Sequence, residues 1–349
     1  MRTKNTALDS LAIVILNWNG KEFLEKFLPS VVAFSNGSQI IIADNASTDD
    51  SVAFVQEYYP TIELIKNDSN GGFAKGYNDA LKQVKSDLYL LLNSDIEVTE
   101  NWLKPLLEVM KDPSVAGCQP KILSYQNKNY FEHAGASGGY LDHNYFPFCR
   151  GRIFNKFEKD EGQYEGQAEV FWATGAALLI RAELFHRVNG FDEAFFAHME
   201  EIDLCWRIKK IGYKFMVEPK SFIYHVGGGT LPYLSPKKSY LNFRNSLFML
   251  VKNHEGALFP KLVYRMLLDG LAAVRFIVLR EWKHLASVFN AHMALYKHLP
   301  ILLQQRKEIQ QNKGITNKAG LYQGSIIWAR YFKGVTKFKS LNQRLFDSK

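Results

Sequence analysis

Three cysteines in 349 residues (Cys118, Cys149 and Cys205), widely spaced and without a CxxC pair, give no sign of a disulfide framework or a zinc site. Free thiols fit a reducing compartment. Long apolar runs are also missing: the first, Leu11 to Leu16, is too short to serve a signal peptide, and MRTKNTALDS before it offers none. The chain therefore reads as starting in the cytosol. The most apolar C-terminal stretch, Leu262 to Leu279, is interrupted by Arg265, Asp269 and Arg275, so no membrane crossing is expected. No internal repeat and no nucleic-acid-binding module is visible, and a nucleic-acid partner is not expected.

What is present is a chain with 47% hydrophobic residues, enough to bury a large core. Its net charge of +8 hides a division: residues 231–349 hold 20 Lys/Arg against 5 Asp/Glu, and residues 1–230 hold 23 against 30. Such asymmetry suggests two jobs, with the basic end facing something anionic.

From Leu11 to about Cys118, short apolar runs alternate with helix-period segments, which predicts βαβ units and a mostly parallel sheet. Strands are expected at LAIVIL, Gln39 to Ala43, Ile62 to Ile65 and DLYLLL. Helices are expected at Lys21 to Phe34, from near Ser47, at Phe73 to Val84 and at Trp102 to Met110. The apolar runs are continuous, so these strands should be covered on both faces. Residues 125 to about 167 break the rhythm and read as an insertion or long loop near a site. Regular structure resumes at Glu169 to Ile180, followed by a helix near Glu201 to Ile211 and strands near Tyr213 to Val217 and Ser221 to His225. GGGTLPYLSP (Gly227 to Pro236) is a breaker cluster that divides residues 1–230 from a C-terminal region, 231–349. Beyond it everything reads as helix: Lys237 to Lys252, Phe259 to Arg280, Trp282 to Gln311, and a weaker basic segment from Leu321 onward.

Ligands of open parallel sheets bind at the carboxyl ends of the strands. Here those ends carry Asn17-Trp18-Asn19-Gly20, Asp44-Asn45 and Asn93-Ser94-Asp95. Asp44 suits the hydrogen bonds of a nucleobase or ribose and Trp18 suits stacking; equally, Asp44 to Ser47 reads as a turn that caps the next helix. Asp95 suits a hard cation, Mg²⁺ or Mn²⁺, whose remaining ligands come from phosphates and water. Asn70-Gly71-Gly72 precedes a helix and suits a loop around a nucleotide, but it is not the GxGxxG of a dinucleotide site. His198-Met199-Glu200-Glu201-Ile202-Asp203 places three carboxylates at a helix start, which is good helix design. It also supplies a candidate general base, since Phe191, Phe195 and Phe196 just before it suggest a pocket wall. His225 ends a strand, where a neutral imidazole suits a metal.

ILNWNG, ADNASTDDS, NGGFAKGYN, LLNSDIEV, FWATGAALLIR, GFDEAFFAHMEEIDLCWR and YHVGGGT, in this order, resemble the family 2 glycosyltransferases, in particular the rhamnosyltransferase-like members. The likeness covers roughly Leu11 to Thr230. It implies an α/β GT-A fold, a mostly parallel sheet flanked by helices, followed here by the C-terminal helical region. It further implies an inverting transfer of sugar from a nucleotide-diphosphate donor, dTDP-rhamnose or a UDP-sugar, to a saccharide acceptor, as in polyprenyl-linked cell-surface polysaccharide synthesis.

By position, the resemblance makes Trp18, Asn19, Asp44, Asn70, Gly72, Asn93 and Ser94 donor-side residues. Trp172 and the Gly175-Ala176 turn become acceptor-side residues, and Asp95 and His225 the Mg²⁺ or Mn²⁺ ligands. Asn93 stands where many members have the first Asp of the metal motif. Glu201 stands where the family's catalytic Asp is usual, with Glu200 and Asp203 as alternatives. The rival readings are a nucleotidyltransferase acting on sugar phosphates and an inactive sugar-nucleotide-binding subunit. The absence of a basic Gly-rich segment after the first strand opposes the former, and intact Asp44, Asp95 and Glu201 oppose the latter. A helix such as Lys261 to Arg280, with an apolar face and basic residues, suits anionic lipid on the inner face of the cytoplasmic membrane; it equally suits a helical cap on the catalytic domain.

Overall fold

The computed structural model describes residues 10–35, 37–227 and 235–347. The N-terminal segment read for a signal peptide, and most of the GGGTLPYLSP cluster with the boundary drawn in it, lie outside the described residues.

The chain opens with β1 (Leu11–Asn17), α1 (Lys21–Phe34), β2 (Gln39–Asp44), α2 (Ser51–Tyr58), β3 (Glu63–Lys66), α3 (Gly72–Leu81), β4 (Leu88–Asn93), β5 (Ile96–Val98), α4 (Leu103–Val109) and β6 (Val115–Ser124). Strand order β3-β2-β1-β4 is parallel throughout, as the alternation of runs predicts. In β1, Ile13 and Ile15 point to one core and Ala12 and Val14 to the other, because successive side chains of a strand leave opposite faces. A strand buried on both sides must therefore be apolar at every position, which is why LAIVIL does not alternate.

Between Ser124 and His225 come β7 (Gly139–Asp142), β8 (Pro147–Cys149), β9 (Arg152–Ile153), β10 (Lys156–Phe157), β11 (Ala168–Val170), β12 (Ala177–Arg181), α5 (Ala182–Arg187), α6 (Glu200–Lys210) and β13 (Lys214–His225). β12 inserts antiparallel between β4 and β6, and β11 and β5 pair antiparallel with β13, so the large sheet is mixed beyond its parallel half. The two strands expected between Tyr213 and His225 are one, bent at a register shift between Glu218 and Phe222.

The stretch read as a loop holds four short strands instead. β10-β9-β8-β7 form a second sheet whose members are two to four residues long, too short to show periodicity, and Gly138 and Gly151 turn with positive φ beside them.

Three long helices follow: α7 (Pro236–Asn253), α8 (Leu258–Val278) and α9 (Trp282–Gln311). The tail expected to be helical from Leu321 departs from that reading. It contributes β14 (Leu321–Tyr322) to the edge of the second sheet beside β7, then only short helical turns. Tyr322, Phe338 and Phe346 pack with Tyr140 and Phe148 of that sheet, and this aromatic cluster overrides local helix preference. Leu247 to Val251 of α7 share a core with Ala12 and Val14 of β1, so the C-terminal helices are built into the same body as the sheet.

Candidate active site

The carboxyl ends of β1, β2 and β4 open into a cavity of about 530 Å³. It lies where the strand-end rule for α/β sheets places a ligand. Trp18, Asn19, Asn70, Gly72, Asn93, Ser94 and Asp95 line it, as do Trp172, Gly175 and Ala176. Trp18 keeps 41% of its surface exposed, an aromatic face open to a planar ligand. Asn19 ties the first loop to the second: its backbone N–H donates to Ser47 Oγ at 2.9 Å and its Oδ1 accepts from the Thr48 N–H at 2.7 Å.

Asp44 is turned inward and is not among the residues that line the cavity. It is buried and accepts from Asn17 Nδ2 at 3.2 Å and from the Ser47 N–H at 2.9 Å, closing a turn ahead of α2 without capping it, since α2 begins at Ser51 behind Asp50. Its neighbour Asn45 reaches the cavity instead. There the Asn45 amide donates to Asn70 Oδ1 at 3.0 Å and to the Gly72 carbonyl at 3.1 Å. Gly72 has φ +81°, and a Cβ there would meet the Phe196 carbonyl oxygen at 2.4 Å. Only glycine lets α3 start so close to that loop, which the Phe73 N–H then holds by a 2.7 Å bond to the same carbonyl.

At the end of β4, Asp95 Oδ1 lies 3.1 Å from His225 Nε2, and its Oδ2 accepts from the Gly227 N–H at 3.2 Å. His225 Nδ1 lies 2.9 Å from Glu132 Oε2, a partner from the supposed loop that sequence reasoning missed. Burial disfavours the imidazolium, but the two flanking carboxylates outweigh it and push His225 up to about 10. Burial likewise opposes both carboxylates, yet His225 draws Glu132 down to about 2 and holds Asp95 below its ordinary value.

Among the described residues no group of three or more His, Cys, Asp or Glu side chains is arranged to hold a cation alone. Asp95 and His225 are nonetheless a carboxylate and an imidazole side by side on the cavity wall, with Glu132 fixing the ring from behind. A cation there would require Nε2 to release the proton that His225 carries between the two carboxylates, leaving Nδ1–H donating to Glu132; in that state the donor set fits a cation that takes its remaining oxygens from a diphosphate and water.

The second acidic group sits at the start of α6. Phe196, His198 and Met199 precede it with φ of 64°, 71° and 73°, left-handed values that non-glycine residues adopt only when surroundings impose them. Asn245 of α7 imposes them: its amide donates to the carbonyls of Phe195 (3.0 Å), Ala197 (2.9 Å) and His198 (2.7 Å). The result turns Glu200 and Glu201 into the cavity, where one carboxylate oxygen of each is buried without a hydrogen-bond partner. Burial pushes Glu201 up to about 7, moderated by backbone N–H groups at the helix start. Glu200 is pushed well above its ordinary value, first by burial and then by Glu201.

Asp203, the third candidate, does not reach the cavity. Arg207 (2.8 Å), Lys252 (3.0 Å) and Asn253 (2.7 Å) surround it. Burial would raise it, but Lys252 and Arg207 prevail and hold it below its usual range. It joins α6 to α7 and is no free base.

Lys237, Lys238 and Asn242 of α7, His133 of the turn before β7 and Arg152 of β9 complete the walls. Sequence reasoning missed them, because they lie beyond the divide at residue 230 or in the stretch read as a loop. His198 is also exposed to the cavity; burial, followed by the nearby Lys238, pushes it down to about 4, so it stands as neutral imidazole. His133 and Arg152 are shared with an adjoining cavity of about 690 Å³.

Comparison with known proteins agrees with this geometry. Residues 12–188 match the sequence model of Glycosyl transferase family 2, which is half of the chain. The chain is 24% identical over 233 residues to N-acetylglucosaminyl-diphospho-decaprenol L-rhamnosyltransferase of Mycobacterium tuberculosis, covering 62% of this chain and 76% of that one. It is 22% identical over 309 residues to the low-salt glycan biosynthesis hexosyltransferase Agl10 of Haloferax volcanii, covering 83% and 92%. Among solved structures, a mannosyltransferase from Pyrobaculum calidifontis in complex with GDP-Man and Mn²⁺ is similar in fold, with TM-score 0.53 and 12% identity over 82% of this chain and 87% of that one. GalNAc-T7 with UDP, GalNAc and Mn²⁺ has the same TM-score at 15% identity; the match takes in 71% of this chain but about half (48%) of that enzyme.

Proposed function

The chain belongs to glycosyl transferase family 2, and from that premise we propose that it moves a sugar, with inversion, from a nucleoside-diphosphate donor to a hydroxyl of a lipid-linked saccharide acceptor. One observation carries the reading: Glu201, buried and missing a partner for one oxygen, faces the cavity that Asp95 and His225 line.

The base of the donor lies against Trp18 and Asn45, and its diphosphate runs along Asn93, Ser94 and Asp95 toward Lys237 and Lys238. Asp95 and His225 would hold Mg²⁺ or Mn²⁺, which when bound neutralises charge on the departing diphosphate. The solved neighbours in complex with Mn²⁺ support a divalent ion. The acceptor enters past Trp172, Gly175 and Ala176, and the adjoining cavity offers room for more of a saccharide chain. Its hydroxyl oxygen bonds to C1 while the C1–O bond to phosphate breaks from the far side with its electron pair. The hydroxyl proton passes to Glu201, whose pKa near 7 makes it basic at the working pH and still able to hold the proton afterwards. Attack opposite the leaving group inverts the anomeric centre.

dTDP-rhamnose is the first donor to try, with UDP-sugars next, and a polyprenyl-diphosphate saccharide is the acceptor class. The mycobacterial rhamnosyltransferase, named for a diphospho-decaprenol acceptor, supports both choices. Purified protein with Mn²⁺ or Mg²⁺ and a panel of nucleotide sugars should release nucleoside diphosphate from one of them, faster when acceptor is added. Failure to bind or turn over any donor would defeat the proposal and favour a binding-only subunit.

A further inference from the structure

α8 turns an ion pair inward. Its two fully buried side chains are Arg265 and Asp269, 3.3 Å apart; Arg265 also donates to Ser246 Oγ at 3.0 Å and lies over the Phe146 ring, and His292 of α9 sits 3.5 Å from Asp269. Leu262 and Met266 are partly buried beside them. Facing outward are Leu267 and Leu271, each 65% exposed, Val274 at 57% and Val278 at 75%. The stripe continues across the turn into Trp282 (60%) and Phe289 (62%) of α9. A helix that sends its ion pair into the protein and large apolar side chains into solvent has the polarity of a surface that meets a nonaqueous phase.

The rim of this face carries charge of one prevailing sign. Exposed Arg275, Arg280 and Lys283 surround the α8–α9 turn, against the single half-buried carboxylate of Glu281. Among the described residues no helix is long and apolar enough to cross a membrane, so such a face can lie on a bilayer but not through it.

The turn is also anchored beside the active site. Ser239 Oγ meets His284 Nδ1 at 2.8 Å, Ser287 Oγ donates to the Pro236 carbonyl at 2.8 Å, and Phe243 packs edge-on to Phe276. These contacts fall on the same end of α7 that sends Lys237, Lys238 and Asn242 into the cavity.

We infer that the outward face of α8 and the start of α9 form a docking surface for an anionic lipid bilayer, with Leu271, Val278 and Trp282 entering the interface and Arg275, Arg280 and Lys283 paired with headgroups. A second copy of the chain is the poorer occupant. A two-fold dimer through this face would bring the same cations of both copies together. Docking would set the cavity-lining end of α7 at the membrane surface, the level at which a polyprenyl-linked substrate presents its sugar.

The test is flotation of the purified full chain with vesicles of phosphatidylcholine alone and of phosphatidylcholine mixed with phosphatidylglycerol, alongside sedimentation equilibrium without lipid. The expected result is flotation with the mixed vesicles that weakens in high salt. Reversing the three cations (R275E, R280E, K283E) should lower it at least about tenfold, at about 1 kcal/mol for each charge near the surface. A separate variant, L271S with V278S and W282S, should lower it similarly; all six positions are exposed, and circular dichroism confirms that each variant folds. Absence of flotation, or flotation that neither variant changes, overturns the inference. So does a lipid-independent dimer, abolished by the apolar substitutions, in a protein that does not float.

Discussion

Asn245 donates a 2.7 Å hydrogen bond to the carbonyl of His198, three residues before Glu201, and thereby ties the first C-terminal helix to the loop that delivers the proposed base. The same amide serves Phe195 and Ala197, so one side chain carries three of the bonds that hold a left-handed run of backbone. Asn245→Ala should therefore cost about 1–3 kcal/mol of stability, the range for stranding buried polar groups. It should also lower transfer about tenfold to a hundredfold, as small misplacements of a reacting group do. Donor affinity, measured by calorimetry, should change little, because Asn245 does not line the cavity.

The pH dependence follows from the direction of the Glu201 shift. A base must be deprotonated to work, and burial raises Glu201 to about 7. The acidic limb of kcat/KM should rise with pH through about 7 and level off above it, rather than being complete by the ordinary carboxylate range. A profile flat from pH 5 to 9 would place the base elsewhere.

Asp203→Asn should destabilise the fold by about 3 kcal/mol, because it leaves Arg207 and Lys252 buried with less negative charge between them. The sign with pH is that of a depressed carboxylate. Its stabilisation is present above the unfolded pKa and is lost as pH falls through the lower folded value, so the wild type should lose its advantage over the variant in acid. Chemical denaturation at neutral pH and near pH 3 reads both effects.

Asp95→Asn should remove most of the Mn²⁺ or Mg²⁺ dependence of donor binding. Asparagine keeps the shape and a carbonyl oxygen, but not the charge a hard cation requires. Isothermal titration of donor with and without the cation checks this. Equal cation dependence in variant and wild type would dissociate Asp95 from the metal.

Much of this architecture was legible because buried strands advertise themselves. LAIVIL and DLYLLL are apolar at every position since both faces are covered, and the residues that follow them had to reach the same sheet edge. That Asn45 lines the cavity while Asp44 turns toward Ser47 was not legible, because one position along an extended chain reverses the side chain. Arg152 was hidden by a strand too short for a period, Glu132 and His133 by an irregular stretch between β6 and β7, and Lys237, Lys238 and Asn242 by distance along the chain. Asp203 looked equivalent to Glu201 at the helix start. At two residues' spacing on a helix they face different sides, one to the cavity and the other to Lys252.

The most direct test of the account is the transfer rate of Glu201→Gln at saturating donor, cation and acceptor, with donor affinity measured on the same preparation. Glutamine keeps the size and loses the basicity, so the account predicts donor binding within about twofold of wild type and transfer lower by about a hundredfold or more, the contribution expected of a general base. Transfer near the wild-type rate in a variant that binds donor normally would contradict it.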